Sequence, residues 1–292
     1  MKKINLSEFH DKNYKKLLLI PLILFLISIS YIFIFYSQNG DFIYKDISLT
    51  GGTAVTIYGS FDIDKLYTDL SQELPELNIR SIYDLITQEQ KAVIIETTLD
   101  GKSAKERLQS YLNYELTEDN SSLEFTGSVL SDSFYQQLIL AIFVAFLFMA
   151  IVVFIIFRTF VPSLAVIISA FADILMTLAV VDILGIKMSS AGIVAFLMLI
   201  GYSVDTDILL TTRILKRNEG SLNHRIFGAF KTGITMTLTS LFAILFALII
   251  VSSFSIVLTQ IFTILVIGLG FDLFNTWITN VSILKWYVEG KK

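Results

Sequence analysis

The 292-residue sequence contains no cysteine, three prolines and two histidines. Without cysteine the chain can form neither disulfides nor thiolate metal sites. His10 and His224 lie in polar stretches, so the sequence offers no buried histidine cluster for a metal or a proton relay. Charged residues are scarce at 16%, whereas hydrophobic residues make up 54%. This balance excludes an ordinary soluble domain and indicates a multispanning membrane protein.

Six apolar runs are long enough to cross a bilayer, whose hydrocarbon core needs about 20 apolar residues per helix. We predict these spans at residues 17–36, 138–157, 162–184, 191–211, 232–251 and 256–284. The first run is longer than a signal-peptide core and no A-x-A site follows it, so we expect a mature helix. The predicted organisation is an N-terminus at 1–16, a first helix at 17–36, an inserted domain at 37–133, helices 2–6 within 134–284, and a tail at 285–292.

The distribution of lysine and arginine predicts the orientation, because cytoplasmic loops are enriched in both residues. They concentrate at the N-terminus, in the loop after the fourth span and in the tail, at Lys2, Lys3, Lys12, Lys15, Lys16, Arg213, Lys216, Arg217, Arg225, Lys231, Lys285, Lys291 and Lys292. Residues 37–133 carry 17 acidic and 7 basic residues, a net charge of −10, and the remainder carries +6. We therefore expect a cytoplasmic membrane protein with both termini in the cytoplasm and residues 37–133 outside.

The inserted segment has the pattern of a folded α+β domain. Strands and helices alternate in the order β-α-β-β-α-β at residues 53–59, 62–74, 79–85, 91–98, 103–116 and 123–130. This order predicts a ferredoxin-like sandwich. Ser103 and Glu106 have capping-box spacing at the start of the second helix. Gly51 and Gly52 in "TGGT" precede a strand rather than a helix, so we predict a structural turn and not a phosphate cradle.

Acidic residues occur inside the predicted spans, where each costs about 2.5–3.5 kcal/mol on insertion scales. Such a carboxylate must be neutral, paired or in contact with a wet cavity. Four of these aspartates and one lysine are expected in the middle-to-cytoplasmic zone, and we predict that they form a proton or ion relay made of Asp173, Asp205, Asp207, Lys231 and Asp272. Nearby polar residues are expected to support them, namely Ser203, Thr206, Arg213, Thr235 and Asn275.

One other interpretation of these residues stays open, and a second is disfavoured. Polar residues at helical spacing also hold membrane helices together without moving an ion, and we expect this structural role for Asp182. An aspartyl intramembrane protease would need a G-x-G-D turn, whereas "GLGFD" at 268–272 has one residue too many. We therefore predict no enzymatic activity, no catalytic residue, no metal site and no cofactor.

The combination of motifs resembles one family. Six spans, a large insertion after the first, "TGGT" at its start and "GYSVDTDILLTTR" at 201–213 resemble SecF proteins of the SecD/SecF family, within the resistance-nodulation-division superfamily. "VDTDILLTTR" and "FKTGITMTLTSL" (230–241) are similar to the archaeal form. The resemblance implies a twelve-span unit with SecD, bound to the Sec translocon (SecY, SecE and the third small subunit). It also implies export of unfolded precursor polypeptide, driven in bacteria by the proton motive force, and no nucleic-acid partner.

Residue by residue, the resemblance carries over only in part. Bacterial members read close to "GYSINDTVVVFDR", whose first aspartate falls on Thr206 here, between Asp205 and Asp207. The arginine that opens the fifth bacterial span corresponds to Lys231, and the histidine of the bacterial "HD" pair corresponds to Ala172.

Asp205 and Asp207 project about 160° apart on an ideal helix. We expect Asp207 to face the transport path and Asp205 to lie near Gly201 and SecD. Two rival functions remain: a passive scaffold between SecD and the translocon, and half of a small-molecule efflux pump. The choice between H⁺ and Na⁺ also stays open.

Overall fold

The computed structural model of the chain describes residues 13–84, 87, 89–216, 220–252 and 255–290. Several residues used to predict the orientation lie outside these ranges, namely Lys2, Lys3, Lys12, Arg217, Lys291 and Lys292. Residue 85, at the end of one predicted strand, lies outside them as well.

Six helices in the described part of the chain are long and apolar enough to cross a membrane, which agrees with the predicted number. The first five are α1 (Leu19–Asn39), α5 (Ser128–Phe157), α6 (Phe160–Ile183), α7 (Ser190–Lys216) and α8 (Leu222–Val251). The sixth is continuous over Ile256–Glu289 and consists of α9 (Ile256–Phe274), a π-helix (Asn275–Asn280) and α10 (Val281–Glu289). The chain is thus a multi-pass membrane protein.

Several helices extend well past the apolar runs that identified them. Helix α5 begins at Ser128 rather than at 138, and α8 begins at Leu222 rather than at 232. Lys231, expected to open the fifth span, therefore lies inside α8. Hydropathy marks only the segment that fits the hydrocarbon core, whereas backbone hydrogen bonding continues into polar residues beyond it.

The inserted domain is a four-stranded antiparallel sheet packed against helices. Its elements are β1 (Gly52–Tyr58), α3 (Ile63–Leu70), β2 (Asn78–Tyr83), β3 (Gln90–Thr97), α4 (Gly101–Leu112) and β4 (Ser121–Thr126), after a short helix α2 (Ile47–Thr50). The sheet order β2-β3-β1-β4 is that of a ferredoxin-like sandwich, and it confirms the predicted α+β fold. Alternate residues of β1 and β3, such as Val55 and Ile95, point to the helices and are fully buried with Leu70 and Leu108.

The predicted capping box of α4 is wrong. The helix begins three residues earlier, and the carboxylate of Asp100 accepts hydrogen bonds from the backbone N–H groups of Lys102 and Ser103. Ser103 lies in the first turn, where its hydroxyl donates to Asp100 Oδ2 at 2.6 Å. Aspartate is as strong an N-cap as serine, so the preceding residue decided where the helix starts.

Gly51 and Gly52 form the turn that leads from α2 into β1, with φ values of +82° and +144°. A Cβ atom at Gly52 would overlap the carbonyl oxygen of Thr97 on the neighbouring strand. Glycine is therefore required there both for its backbone conformation and for the close approach of the two strands.

The domain is attached to the membrane helices at the segment before α2. The backbone N–H of Met188 donates to Tyr44 O at 2.5 Å, and the N–H of Asp46 donates to Met188 O at 3.0 Å. Asp41 forms an ion pair with Lys45 at 2.7 Å and accepts a hydrogen bond from the Tyr135 hydroxyl at 2.7 Å. These bonds fix the base of the domain to α5 and to the α6–α7 loop.

Candidate functional site

Three predicted relay aspartates meet in the interior of the membrane bundle. Asp173 lies on α6, Asp207 on α7 and Asp272 on α9, and each is 0% exposed. The three helices pack directly on one another. Their close contact brings residues that are far apart in sequence into one buried cluster, named here the carboxylate cluster.

Asp173 is held by donors from two other helical segments. Ser203 on α7 donates to its Oδ2 at 2.5 Å, and the amide of Asn275 in the π-helix donates to its Oδ1 at 2.7 Å. The side-chain amide oxygen of Asn275, Oδ1, in turn accepts a hydrogen bond from the Thr279 hydroxyl at 3.1 Å. Two of the five predicted supporting residues, Ser203 and Asn275, thus contact this carboxylate.

Only one carboxylate oxygen of Asp207 accepts well-formed hydrogen bonds within the described part of the chain. Its Oδ1 accepts hydrogen bonds from the Thr276 hydroxyl at 2.8 Å and from the Asn280 amide at 2.7 Å. Its Oδ2 and the Ser169 hydroxyl on α6 make no well-formed hydrogen bond among the described residues, although Ser169 lies near enough to interact with the carboxylate. The carboxyl group therefore has a free acceptor in a fully buried position.

Asp272 has the fewest donors of the three aspartates. Its Oδ1 lies 3.2 Å from the Thr276 hydroxyl, and its Oδ2 has no partner within the described ranges. Asp173 and Asp207 are both near enough to act on it electrostatically. An unpaired buried carboxylate beside two others is costly when charged.

The π-helix explains how the last span serves two aspartates at once. Asn275 reaches Asp173, whereas Thr276 and Asn280 reach Asp207. In a π-helix residues five apart lie in register, so Asn275 and Asn280 both face the neighbouring helices. Single π turns inside α-helices recur at functional sites, because they redirect a few side chains without breaking the helix.

The predicted basic partners lie outside the carboxylate cluster. Lys231 is exposed on α8. Arg213 donates to the Gly228 carbonyl at 2.6 Å and to the Thr232 hydroxyl at 2.9 Å. Of the residues the structure describes, none with a positive charge makes a hydrogen bond or ion pair to the three carboxylates. Neutral donors do not compensate the charge of three buried carboxylates, so ionising all three at once is costly.

The fourth aspartate of the predicted relay points the other way. Asp205 lies on the exposed face of α7 with Gly201 and Tyr202, opposite the buried Asp207. Thr206, between the two aspartates, is buried and its hydroxyl lies 3.4 Å from that of Thr237 on α8. Thr235 is exposed and donates to the backbone carbonyl of Lys231 at 2.8 Å. Asp205, Lys231 and Thr235 therefore belong to the outer surface of this chain.

Asn280 and Ser169 are cluster residues that the sequence analysis missed. Asn280 follows Thr276 by four residues in "NTWITN", a spacing that places both side chains on the helix face toward Asp207, so this position too could have been found from the sequence. Ser169 precedes Asp173 by one helical turn, which was a usable signal.

The end of the last span packs against the N-terminal part of the described chain, and the segment from residue 285, predicted as a cytoplasmic tail, continues the helix to Glu289. Lys285 is 2% exposed, and its ammonium group lies 4.8 Å from the Tyr14 ring centroid and 3.9 Å from Glu289 Oε1. The Tyr14 hydroxyl donates to Glu289 Oε2 at 2.7 Å. These contacts join the two ends of the described chain.

Comparison with known proteins agrees with this architecture. A family model described as "Protein export membrane protein SecD/SecF, C-terminal" matches residues 108–290. A relative from Methanocaldococcus jannaschii named protein-export membrane protein SecF is 40% identical over 282 residues, covering 95% of this chain and 96% of its own. A relative of the same name from Methanothermobacter thermautotrophicus is 39% identical and covers 99% and 98%.

The fold is shared with a solved structure. The crystal structure of SecDF, a translocon-associated membrane protein from Thermus thermophilus, superposes with a TM-score of 0.74 at 19% identity. The match covers 98% of this chain but 39% of the SecDF chain, so the present chain spans about two fifths of that length. Together these matches show that the chain belongs to the SecD/SecF family of protein-export membrane proteins, in its SecF branch.

Proposed function

We propose that this chain works in protein export as the partner of a SecD protein, and that protons moving through the carboxylate cluster drive the process. The observation that carries the coupling is the presence of three fully buried carboxylates with only neutral donors. A group that must be neutralised inside the membrane, and that lies between movable helices, is suited to bind and release protons.

The export role is supported by relatives that match along their whole length. SecF proteins from Methanocaldococcus and Methanothermobacter align over more than nine tenths of both chains. We extend their named role to this chain, with the Sec translocon as the associated channel and unfolded precursor polypeptide as the cargo. The acidic outer domain, with a net charge of −10 over residues 37–133, suits contact with basic segments of that cargo.

A SecD partner is supported by the exposed polar face of this chain. This chain spans 39% of the SecDF chain it superposes on, and in our proposal a SecD protein takes the place of the remainder. Asp205 is exposed at membrane depth on α7, where a carboxylate facing lipid costs about 2.5–3.5 kcal/mol. A partner with polar groups or enclosed water would remove that cost. We propose that SecD covers this face, together with Lys231 and Thr235 on α8.

The proposed orientation puts both termini in the cytoplasm and the ferredoxin-like domain outside. Its support is the basic character of the α7–α8 connection, where Arg213, Lys216 and Arg225 lie near one end of the bundle. The outer domain leaves the bundle at the other end, beside the α6–α7 loop.

The coupling is tested with the complex of this chain, its SecD partner and the translocon in proteoliposomes. Asp173→Asn, Asp207→Asn and Asp272→Asn keep the size of each side chain but cannot carry a proton. We expect each change to lower proton flux and precursor release by at least about 100-fold, the lower end of the range that positioned proton transfer contributes. Asp182→Asn is the matched control, because Asp182 is an intramembrane aspartate on α6 that is 2% exposed and outside the cluster.

The competing proposal is a passive scaffold. In that case the three variants would assemble with SecD and release precursor at the wild-type rate. Copurification of SecD with each variant separates loss of coupling from loss of assembly. Replacing the proton gradient by a sodium gradient in the same vesicles identifies the coupling ion.

A further inference from the structure

Thr276 lies between two carboxyl groups that have no direct hydrogen bond to each other. Its hydroxyl oxygen is 2.8 Å from Asp207 Oδ1 and 3.2 Å from Asp272 Oδ1. All three side chains are 0% exposed. The hydroxyl is therefore the bridge between the carboxylate on α7 and the carboxylate on α9.

Counting hydrogens gives this bridge a direction. A threonine hydroxyl carries one hydrogen, so it can donate to only one of the two carboxyl oxygens. The shorter contact is to Asp207, which also accepts from Asn280 at 2.7 Å. The contact to Asp272 is then between two oxygens with no hydrogen between them, unless Asp272 supplies one. A protonated Asp272 donating to Thr276 satisfies every atom of the bridge.

On this basis we propose that Thr276 is a proton-relay residue between Asp272 and Asp207, an inference that rests on the proposed coupling. In the transfer step the O–H bond of Asp272 breaks and its proton binds to Thr276 Oγ1. The original O–H bond of Thr276 breaks at the same time, and that proton binds to Asp207. Asp272 becomes a carboxylate, Asp207 becomes a carboxylic acid, and Thr276 remains a neutral hydroxyl that now donates to Asp272.

The π-helix holds the relay in place. It begins one residue before Thr276, and Asn280 at its end fixes the same oxygen of Asp207 that receives the proton. Asn275 holds Asp173 from the preceding position. To reset the relay, Asp207 releases its proton, Asp272 takes up another, and the Thr276 hydroxyl rotates back toward Asp207, which Asn280 holds in place.

The relay is tested with Thr276→Val and Thr276→Ser in the reconstituted complex. Valine keeps the shape of threonine without the hydroxyl, so we expect proton flux to fall by about 100-fold, within the range for positioned proton transfer. Serine keeps the hydroxyl, and flux should stay within a few-fold of wild type. Thr177→Val is the matched control, since Thr177 is equally buried but donates to a backbone carbonyl, that of Asp173, at 2.6 Å.

A second measurement does not depend on the valine variant folding. Infrared difference spectroscopy of the wild-type complex at neutral pH should show the carbonyl band of a protonated carboxylic acid that disappears in Asp272→Asn. Absence of that band overturns the relay.

The flux data separate this inference from the proposed coupling. Wild-type flux in Thr276→Val, with flux blocked in Asp207→Asn and Asp272→Asn, overturns the relay and leaves the coupling intact. Wild-type flux in all of these variants overturns both.

Discussion

The inserted domain and the membrane bundle bury opposite kinds of side chain. In the domain, the buried cluster consists of aliphatic residues such as Val55, Leu70 and Leu108, and most charges are exposed. In the bundle, Asp173, Asp207 and Asp272 are completely buried. Large apolar side chains such as Phe143 and Phe148 on α5 are more than 60% exposed.

The two solvents explain this inversion. In water, burial of apolar area is the main favourable term of folding, so the domain encloses its aliphatic residues. In lipid, apolar burial gives no such gain, and helices associate through close packing and hydrogen bonds between polar groups. The carboxylate cluster, which is the proposed functional site, can therefore also help to hold α6, α7 and α9 together.

The largest expected effect comes from placing a carboxylate in the apolar core of the domain, in parallel with an apolar residue in the carboxylate cluster of the bundle. Val55→Asp puts an unpaired charge into the domain core, and we expect it to unfold the domain at a cost of about 3–5 kcal/mol, as for other uncompensated buried charges. Asp173→Leu leaves the donors Ser203 and Asn275 unpaired, which costs about 1–3 kcal/mol.

Limited proteolysis of the domain and thermal unfolding of the purified chain measure both changes. The domain should become protease-sensitive only in Val55→Asp, while Asp173→Leu should stay folded and lose proton flux. If the domain stayed folded in Val55→Asp, our explanation of the difference between the two cores would be wrong.

A smaller effect is expected where α7 and α9 make their closest approach. A Cβ atom at Gly268 would lie 2.5 Å from Leu199 Cδ2, so the helices approach closely because glycine leaves room. We expect Gly268→Val to destabilise the bundle by about 1–3 kcal/mol, as overpacking does elsewhere. Thermal unfolding in detergent measures the loss.

Two further variants check this packing argument. Leu199→Ala combined with Gly268→Val should recover part of the lost stability, because the smaller residue makes room for the added methyl groups. Gly270→Val is the control, since nothing lies within 4 Å of a Cβ atom there. Equal destabilisation by Gly268→Val and Gly270→Val would point to helix propensity instead of packing.

The smallest effect is expected at the attachment between domain and bundle. The pKa of Asp41 is below its ordinary value of 3.8: burial acts to raise it, but Lys45, Tyr135 and the Phe42 N–H lower it further. Since the folded carboxyl has the lower pKa, its stabilisation is present above 3.8 and is lost as the pH falls through the folded pKa.

Asp41→Asn should therefore cost about 0.5–1 kcal/mol at neutral pH, as a partly exposed ion pair does. The difference from wild type should vanish in acid. Glu106→Gln is the control, because the side chains of Glu106 and Lys102 are both highly exposed and their charged atoms lie 4.0 Å apart. A pH-independent difference would mean that the Tyr135 hydrogen bond, rather than the charge, stabilises the attachment. Thermal unfolding across a pH series measures both variants.

The proposed site was predictable to different degrees for its different residues. Asp173, Asp207 and Asp272 stood out because acidic residues are rare in apolar spans, and helical spacing correctly separated Asp207 from Asp205. Lys231 was expected beside them only because it carries the opposite charge at a similar predicted depth. Its exposure on α8 shows that depth in the membrane does not fix which way a helix is rotated.

The sequence by itself determined the six spans, the order of elements in the inserted domain and the presence of acidic residues within the spans. These follow from local properties: hydropathy over about 20 residues, alternation along strands and the position of glycines. Only the tertiary structure decided that Thr276 and Asn280 meet Asp207, and that Lys285 is buried against Tyr14. Contacts between helices depend on their rotation and on the π turn at Asn275, which are set by the packing of whole helices on one another.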